Sequence, residues 1–164
     1  MNYTILHIGT FKEPYFEEAF AEYQKRISAF GTLRDIPLKS AKTAGRDLNP
    51  SEIAAALEWE ARAFENALQT PALARAYKIA LCIEGKTMSS ESLSALMEKV
   101  AVGGQNSVVF LIGSSWGIAD RIKRCCDLRL SFSPMTFPHA LFRVMLAEQI
   151  YRAESILHQS AYHK

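Results

Sequence analysis

The run Ser107-Val108-Val109-Phe110-Leu111-Ile112, closing on Gly113, is apolar after its first residue and rich in β-branched and aromatic side chains. A short apolar run of this kind, stopped by glycine, reads as a strand covered on both faces, the form strands take inside parallel sheets. Tyr77 to Ile83 has the same character and is bounded by Glu84-Gly85-Lys86. Between the two runs, Leu93, Leu96, Met97 and Val100 fall at helical spacing, so the segment reads strand, helix, strand. Beyond Gly113 come a short helical piece around Ile118 to Cys126 and a strand at Leu128 to Phe132.

The same alternation extends toward the N-terminus. Tyr3 to Ile8 is strand-like, and Phe16, Phe20, Tyr23 and Ile27 follow at helical spacing. Leu33 to Leu38 is a short strand in which Pro37 indicates a sheet edge or a strand end. A polar loop, Lys39 to Leu48, carries Lys39, Lys42 and Arg46. Asn49-Pro50-Ser51-Glu52 is a helix start: a side-chain acceptor at the N-cap, proline at N1 where its missing N–H is harmless, and glutamate at N3. Ile53, Leu57, Ala61, Phe64 and Leu68 continue it as one apolar stripe. Helices and strands that alternate in this way predict an α/β fold, a mainly parallel sheet with helices on both faces. No repeat, low-complexity tract or linker divides residues 1–164, so a single domain is expected.

The last helix, Ala140 to about Leu157, is apolar on more than one face, with Leu141 and Met145 on one and Phe142, Leu146, Ile150 and Leu157 near another. Either it packs deep in its own sheet or a second copy of the chain covers it; a homodimer is the economical form of the second answer.

Bulk properties narrow the class. At 164 residues, 49% hydrophobic and 22% charged, the chain has ordinary globular composition. Cys82, Cys125 and Cys126 are odd in number and lack ligand spacing, so reduced thiols are expected and neither a disulfide framework nor a metal site is. Met1 to Gly9 lacks the pattern of a signal peptide, and Arg143, Glu148 and Arg152 interrupt the most apolar segment, so a soluble cytoplasmic protein with no membrane partner is expected. A formal charge of +2 neither demands nor excludes nucleic acid.

In an open parallel sheet the ligand crevice lies at the carboxyl ends of the strands. Three loops qualify: Glu84-Gly85-Lys86, Gly113-Ser114-Ser115-Trp116-Gly117, and Ser131 through His139. Glycines 113 and 117 allow close backbone approach, although they form no dinucleotide fingerprint. In the third loop, hydroxyls of Ser131, Ser133 and Thr136 alternate with Phe132, Met135 and Phe137, a mixture that suits an adenine ring and ribose and equally suits a loop that plugs the core. On the last helix Glu148 and Arg152 lie one turn apart, as do His139 and Arg143. No Ser/His/Asp set, paired catalytic carboxylates or phosphate-binding loop is visible, which counts against hydrolysis and phosphoryl transfer.

Taken in order, Ile8-Gly9, Glu84-Gly85-Lys86, Phe110-Leu111-Ile112-Gly113 with Gly117, Ser131 through His139, Arg143 through Ala153 and the closing Tyr162-His163-Lys164 resemble the RlmH family of SPOUT-class methyltransferases, essentially from end to end. The resemblance implies a C-terminal segment threaded into a trefoil knot, a homodimer, and S-adenosylmethionine bound against Leu81, Gly113 and the run Phe132, Ser133, Pro134, Met135, Thr136 and Phe137. It also implies methylation of N3 of a pseudouridine in the 23S ribosomal RNA of the large subunit. The chain departs from the commoner Ile-Gly-Gly form at Ser114, where a positive φ would strain a serine.

That reaction needs an oriented imide nitrogen and a proton acceptor. The candidates are His139, Arg143, Arg152, Tyr162 and His163: His163 or His139 to assist proton removal, Arg143 and Arg152 to hold phosphate or stabilise the developing anion. The modest net charge predicts that assembled ribosomal particles are better substrates than naked RNA. Two other readings are a nicotinamide-dependent oxidoreductase, disfavoured by the missing glycine fingerprint, and a catalytically silent RNA-binding factor.

Overall fold

The computed structural model describes residues 1–10, 13–42 and 47–162. Within them the strands β1 (Asn2–Ile8), β2 (Thr32–Leu38), β3 (Tyr77–Thr87), β4 (Ser107–Ile112) and β5 (Leu128–Ser131) alternate with the helices α1 (Pro14–Ile27), α2 (Pro50–Leu68), α3 (Ser90–Val102), α4 (Asp120–Arg124) and α5 (His139–Leu157). The strands form one sheet in the order β2-β1-β4-β3-β5, and every pairing is parallel. The α/β architecture expected from the alternation is therefore the one adopted.

Strand geometry divides the core in two, because successive side chains point to opposite faces. Tyr3, Ile5, Ile79, Leu81, Val108, Phe110 and Ile112 face one layer, where they meet Phe20, Ile27, Leu93, Met97, Leu146 and Ile150. Leu6, Ile8, Ala80, Val109 and Leu111 face the other, against Phe64, Leu68, Ile118 and Ile122. Helices α1, α3 and α5 thus cover one face of the sheet, and α2 and α4 the other. The start of α2 is fixed locally: Asn49 accepts from the N–H groups of Ser51 and Glu52, and Glu52 accepts from the N–H of Asn49. Pro37 lies on β2, an edge strand, as its missing donor requires.

The structure differs from the expectation at three boundaries. β3 continues through Glu84-Gly85-Lys86 to Thr87, because it pairs with β5 twice: Leu130 is opposite Leu81 and again opposite Lys86. Residues 82–85 bulge around β5, and a Cβ on Gly85 would lie 2.6 Å from the Leu130 carbonyl carbon. The strand is consequently not buried throughout, and Ile83 is exposed. Helix α4 spans five residues where a longer piece is expected, and β5 stops at Ser131 as Phe132 turns into the following loop.

Helix α5 packs against both α1 and α3. Leu146, Ala147, Ile150 and Ala153 are buried, together with Arg143, Glu154 and Ser155. Leu141, Met145 and Leu157 remain half-buried. The Tyr3 hydroxyl donates to Glu154 Oε1 in the interior, where burial and the adjacent carboxylate raise the pKa of the phenol and keep it a donor. Among the described residues no helix is long and apolar enough to cross a membrane.

Candidate active site

Because Leu81 is opposite both Ile112 and Leu130, the bulge that follows Leu81 in β3 lies beside the ends of β4 and β5, and the segments beyond them converge. They enclose a cleft of about 540 Å³ lined by Leu81, Gly113, Phe132, Ser133, Met135, Thr136 and Phe137, with His139 and Phe142 of α5 as a further wall. Pro134 belongs to the same loop but does not line the cleft. A cavity of this size, in which apolar side chains alternate with polar groups, has the form of a small-molecule site.

Local geometry fixes the walls. A Cβ on Gly113 would lie 2.0 Å from the Gly117 carbonyl oxygen, so only glycine fits there. Gly117 has φ +84°, and its N–H donates to the Ser114 carbonyl at 2.8 Å, closing a tight turn. Ser114 is not among the positive-φ residues, so the strain its side chain could have introduced does not arise. In the third loop the Met135 N–H donates to Ser133 Oγ at 3.0 Å and the Ser131 hydroxyl to the Ser133 carbonyl at 3.2 Å. Phe132 packs edge-on against Phe142 at 4.8 Å and Phe137 stacks on it at 6.2 Å, tying the loop to α5. Ile83, Trp116 and Met135, all exposed, stand in the cleft lining.

Charges in the cleft are compensated. Lys123 pairs with Glu84 and, at 2.8 Å, with Asp120, and it holds both carboxyls below their ordinary range. Burial pushes the Cys82 thiol up and that of Cys126 up to about 12, so both remain protonated. All three cysteines are free.

The candidate proton-handling and RNA-facing residues separate into two groups. His139 lines the cleft at the first residue of α5; burial lowers its pKa, and Arg143 and His7 lower it further, so the ring is neutral at neutral pH. Arg143 points inward rather than to solvent. It is 2% exposed, its Nη1 lies 2.6 Å from His7 Nδ1, and His7 Nε2 stands 3.0 Å from Asp35 Oδ1. Further along α5, Arg152 donates from Nε and Nη2 to Glu148 Oε1 at 2.9 and 2.6 Å, and its guanidinium lies 4.9 Å from the centre of the Tyr162 ring. Tyr162 donates to the same oxygen at 3.2 Å, and burial, with Tyr23 and Glu148 adding, pushes its phenol up to about 12.

Glu148 and Gln149 line a second cavity of about 370 Å³ that shares Leu130, Ser131, Phe132 and Phe137 with the first. The Gln149 amide is oriented by Ser90, which donates to its oxygen at 2.7 Å, and by Glu148, which accepts from its nitrogen at 2.6 Å. His163 and Arg46 lie outside the described residues. Along α5, thirteen residues separate His139 from Arg152, a rise of about 20 Å, so within one chain the two groups do not meet.

Glu60 and His7, absent from the residues expected at the site, also stand at its margin. Each carried a signal: Glu60 interrupts the buried side of α2 between Ala56 and Phe64, and His7 occupies an inward position after Tyr3 and Ile5. A charged or titratable side chain on an apolar face requires a partner, and both have one.

Comparison with known proteins adds independent findings. A family model described as "Predicted SPOUT methyltransferase" matches residues 1–163. Ribosomal RNA large subunit methyltransferase H of Clostridioides difficile is 39% identical over 164 residues, and that of Bacillus pumilus 37%, each alignment covering all of both chains. Among solved structures the fold is similar to a probable methyltransferase from Bordetella pertussis (TM-score 0.53, 17% identity, 93% of each chain). It is also similar to a probable methylase family protein from Haemophilus influenzae (TM-score 0.54, 11% identity, 96% of this chain and 66% of that one). At such identities the likeness is one of fold.

Proposed function

Since the chain belongs to the SPOUT methyltransferase family, we propose that it methylates large-subunit ribosomal RNA, with S-adenosylmethionine as donor and N3 of the pseudouridine at position 1915 of 23S RNA as acceptor. The observation that carries the reading is the cleft itself: the residues that the resemblance assigns to the cofactor come together, Pro134 aside, in one cavity of suitable size at the carboxyl edge of a parallel sheet.

The cleft fits the cofactor in kind. Phe132, Phe137 and Leu81 supply apolar surface for an adenine ring, while Ser133, Thr136 and the backbone around Gly113 supply polar groups for a ribose. When bound, S-adenosylmethionine supplies a methyl group on a positively charged sulfur, an electrophile that needs no metal. Neutral His139, in the cleft wall, accepts the N3 proton on a ring nitrogen, and its lowered pKa keeps it unprotonated for that task. Arg152, held by Glu148, orients the target and stabilises the negative charge that develops on the base. Arg143, buried against His7, holds the start of α5 in place.

The same geometry supports a homodimer. His139 and Arg152 can serve one site only if they come from different copies, since about 20 Å of helix separates them in a single chain. Leu141, Met145 and Leu157, half-buried on α5, are the apolar surface a partner would cover. We also take the C-terminal segment to be threaded into a knot, as the resemblance implies. The cytoplasm is the compartment where the proposed substrate resides.

The test is calorimetric titration with S-adenosylmethionine, followed by transfer of labelled methyl to assembled ribosomes and to a naked RNA hairpin. Saturable binding with transfer favouring ribosomes is expected. Absence of cofactor binding would return the chain to the silent RNA-binding reading.

A further inference from the structure

Ser114, the position where this chain departs from the Ile-Gly-Gly form, is joined to a buried carboxylate: its hydroxyl donates to Glu60 Oε2 at 2.7 Å. Glu60 sits on α2 and is 3% exposed. Its other oxygen, Oε1, accepts the Ala41 N–H at 3.3 Å, in the loop after β2 that carries Lys39 and Lys42. One buried carboxylate therefore bridges two loops at the carboxyl edge of the sheet. A carboxylate withdrawn from water is costly unless hydrogen-bonded, and bonds to an ionised acceptor are the stronger kind. Neither loop can shift without leaving one of these oxygens short of a donor. On the cleft side the hold extends beyond Ser114, since the Ser114 carbonyl accepts from Gly117 and closes the turn that includes Trp116.

We propose that Glu60 is a positioning residue for the turn 113–117, acting through the Ser114 hydroxyl, and that it keeps this turn in register with the lysine-bearing loop after β2. The inference rests on the cofactor reading of the cleft for its functional meaning, but the mechanical link between the loops does not. Such support is what holds a binding group within the narrow tolerance that a site requires.

The test has two independent readouts on the full-length protein. S-adenosylmethionine affinity is measured for the unaltered chain and for Ser114→Ala, Ser114→Thr, Glu60→Gln and the Ser114→Ala/Glu60→Gln double variant. Ser114→Ala is expected to bind about tenfold more weakly, the order of loss that follows removal of a hydrogen bond supporting a binding group from behind. Ser114→Thr, which keeps the hydroxyl, is expected to bind like the unaltered chain, and the double variant no more weakly than the weaker single one. Amide hydrogen exchange without cofactor provides the second readout: Ser114→Ala should speed exchange both in 113–117 and at 40–42, with the central strands unchanged. Unaltered affinity in Ser114→Ala, or exchange that changes at 113–117 alone, overturns the proposal. If the unaltered chain binds no S-adenosylmethionine yet exchange changes in both loops, the positioning role stands and the cofactor reading fails.

Discussion

Arg152 and Glu148, one turn apart on α5, are joined at 2.6 Å, and Tyr162 donates to the same carboxylate oxygen. The carboxylate thus fixes the guanidinium beside the second cavity, which Glu148 itself lines. Glu148→Ala frees the arginine to sample other rotamers. Methyl transfer is expected to fall about a hundredfold, the order of loss that follows a small misplacement of an orienting group, while affinity for S-adenosylmethionine stays the same. Transfer within threefold of the unaltered rate would show that the pair is structural.

The separation of His139 from Arg152 makes a prediction about mixed dimers. His139→Ala and Arg152→Ala are each expected to be inactive. Unfolded and refolded together in equal amounts, they should regain about a quarter of full activity, because half of the dimers are mixed and each mixed dimer holds one intact site of two. If both groups acted within one chain, no site would be intact and the mixture would stay inactive.

His139 sets a pH dependence. Burial, with Arg143 and His7 adding, places its pKa below the ordinary histidine value. Methyl transfer should hold steady as pH drops from neutral to 6.5 and decline only below that, and His139→Gln should abolish this acid limb along with most activity. The same shift bears on stability. The unfolded chain binds the proton more readily, so the contribution of neutral His139 is complete above pH 6.5 and is lost as pH falls through the lowered value. Thermal melts between pH 7 and 5, compared with those of His139→Gln, measure it.

Gly113→Ala tests the cleft at its narrowest point. Its Cβ would fall 2.0 Å from the Gly117 carbonyl oxygen, a backbone atom that cannot rotate away. The turn must open, and S-adenosylmethionine affinity should drop at least tenfold. Asn49→Ala serves as a control: loss of the α2 cap costs about 1 kcal/mol of stability, visible as a melting shift, and should leave affinity unchanged.

How much of this was legible in the sequence depended on whether the deciding interaction was local. The apolar run 107–112, the Asn49 cap and the α1 stripe act within a few residues, and each formed where the pattern indicated. The extension of β3 through Glu84-Gly85-Lys86 was not legible, because it depends on a second pairing with Leu130, far along the chain. In the site, the resemblance supplied residues that the cleft then brought together. It did not indicate that Arg143 turns inward to His7, or that Glu60 reaches Ser114 across 54 positions of sequence. Buried polar partners of this kind are chosen by three-dimensional packing, and a single sequence marks only that a polar residue sits on an apolar face.

The Tyr3 hydroxyl meets Glu154 across 151 positions. β1 lies inside the sheet between β2 and β4, and α5 closes the layer above it, so the first strand is sealed by the last helix. During synthesis the nascent polypeptide must hold Tyr3 and Ile5 without their final cover until the end of α5 has cleared the exit tunnel. Folding is then slow in its closing step, because that contact joins residues 151 positions apart.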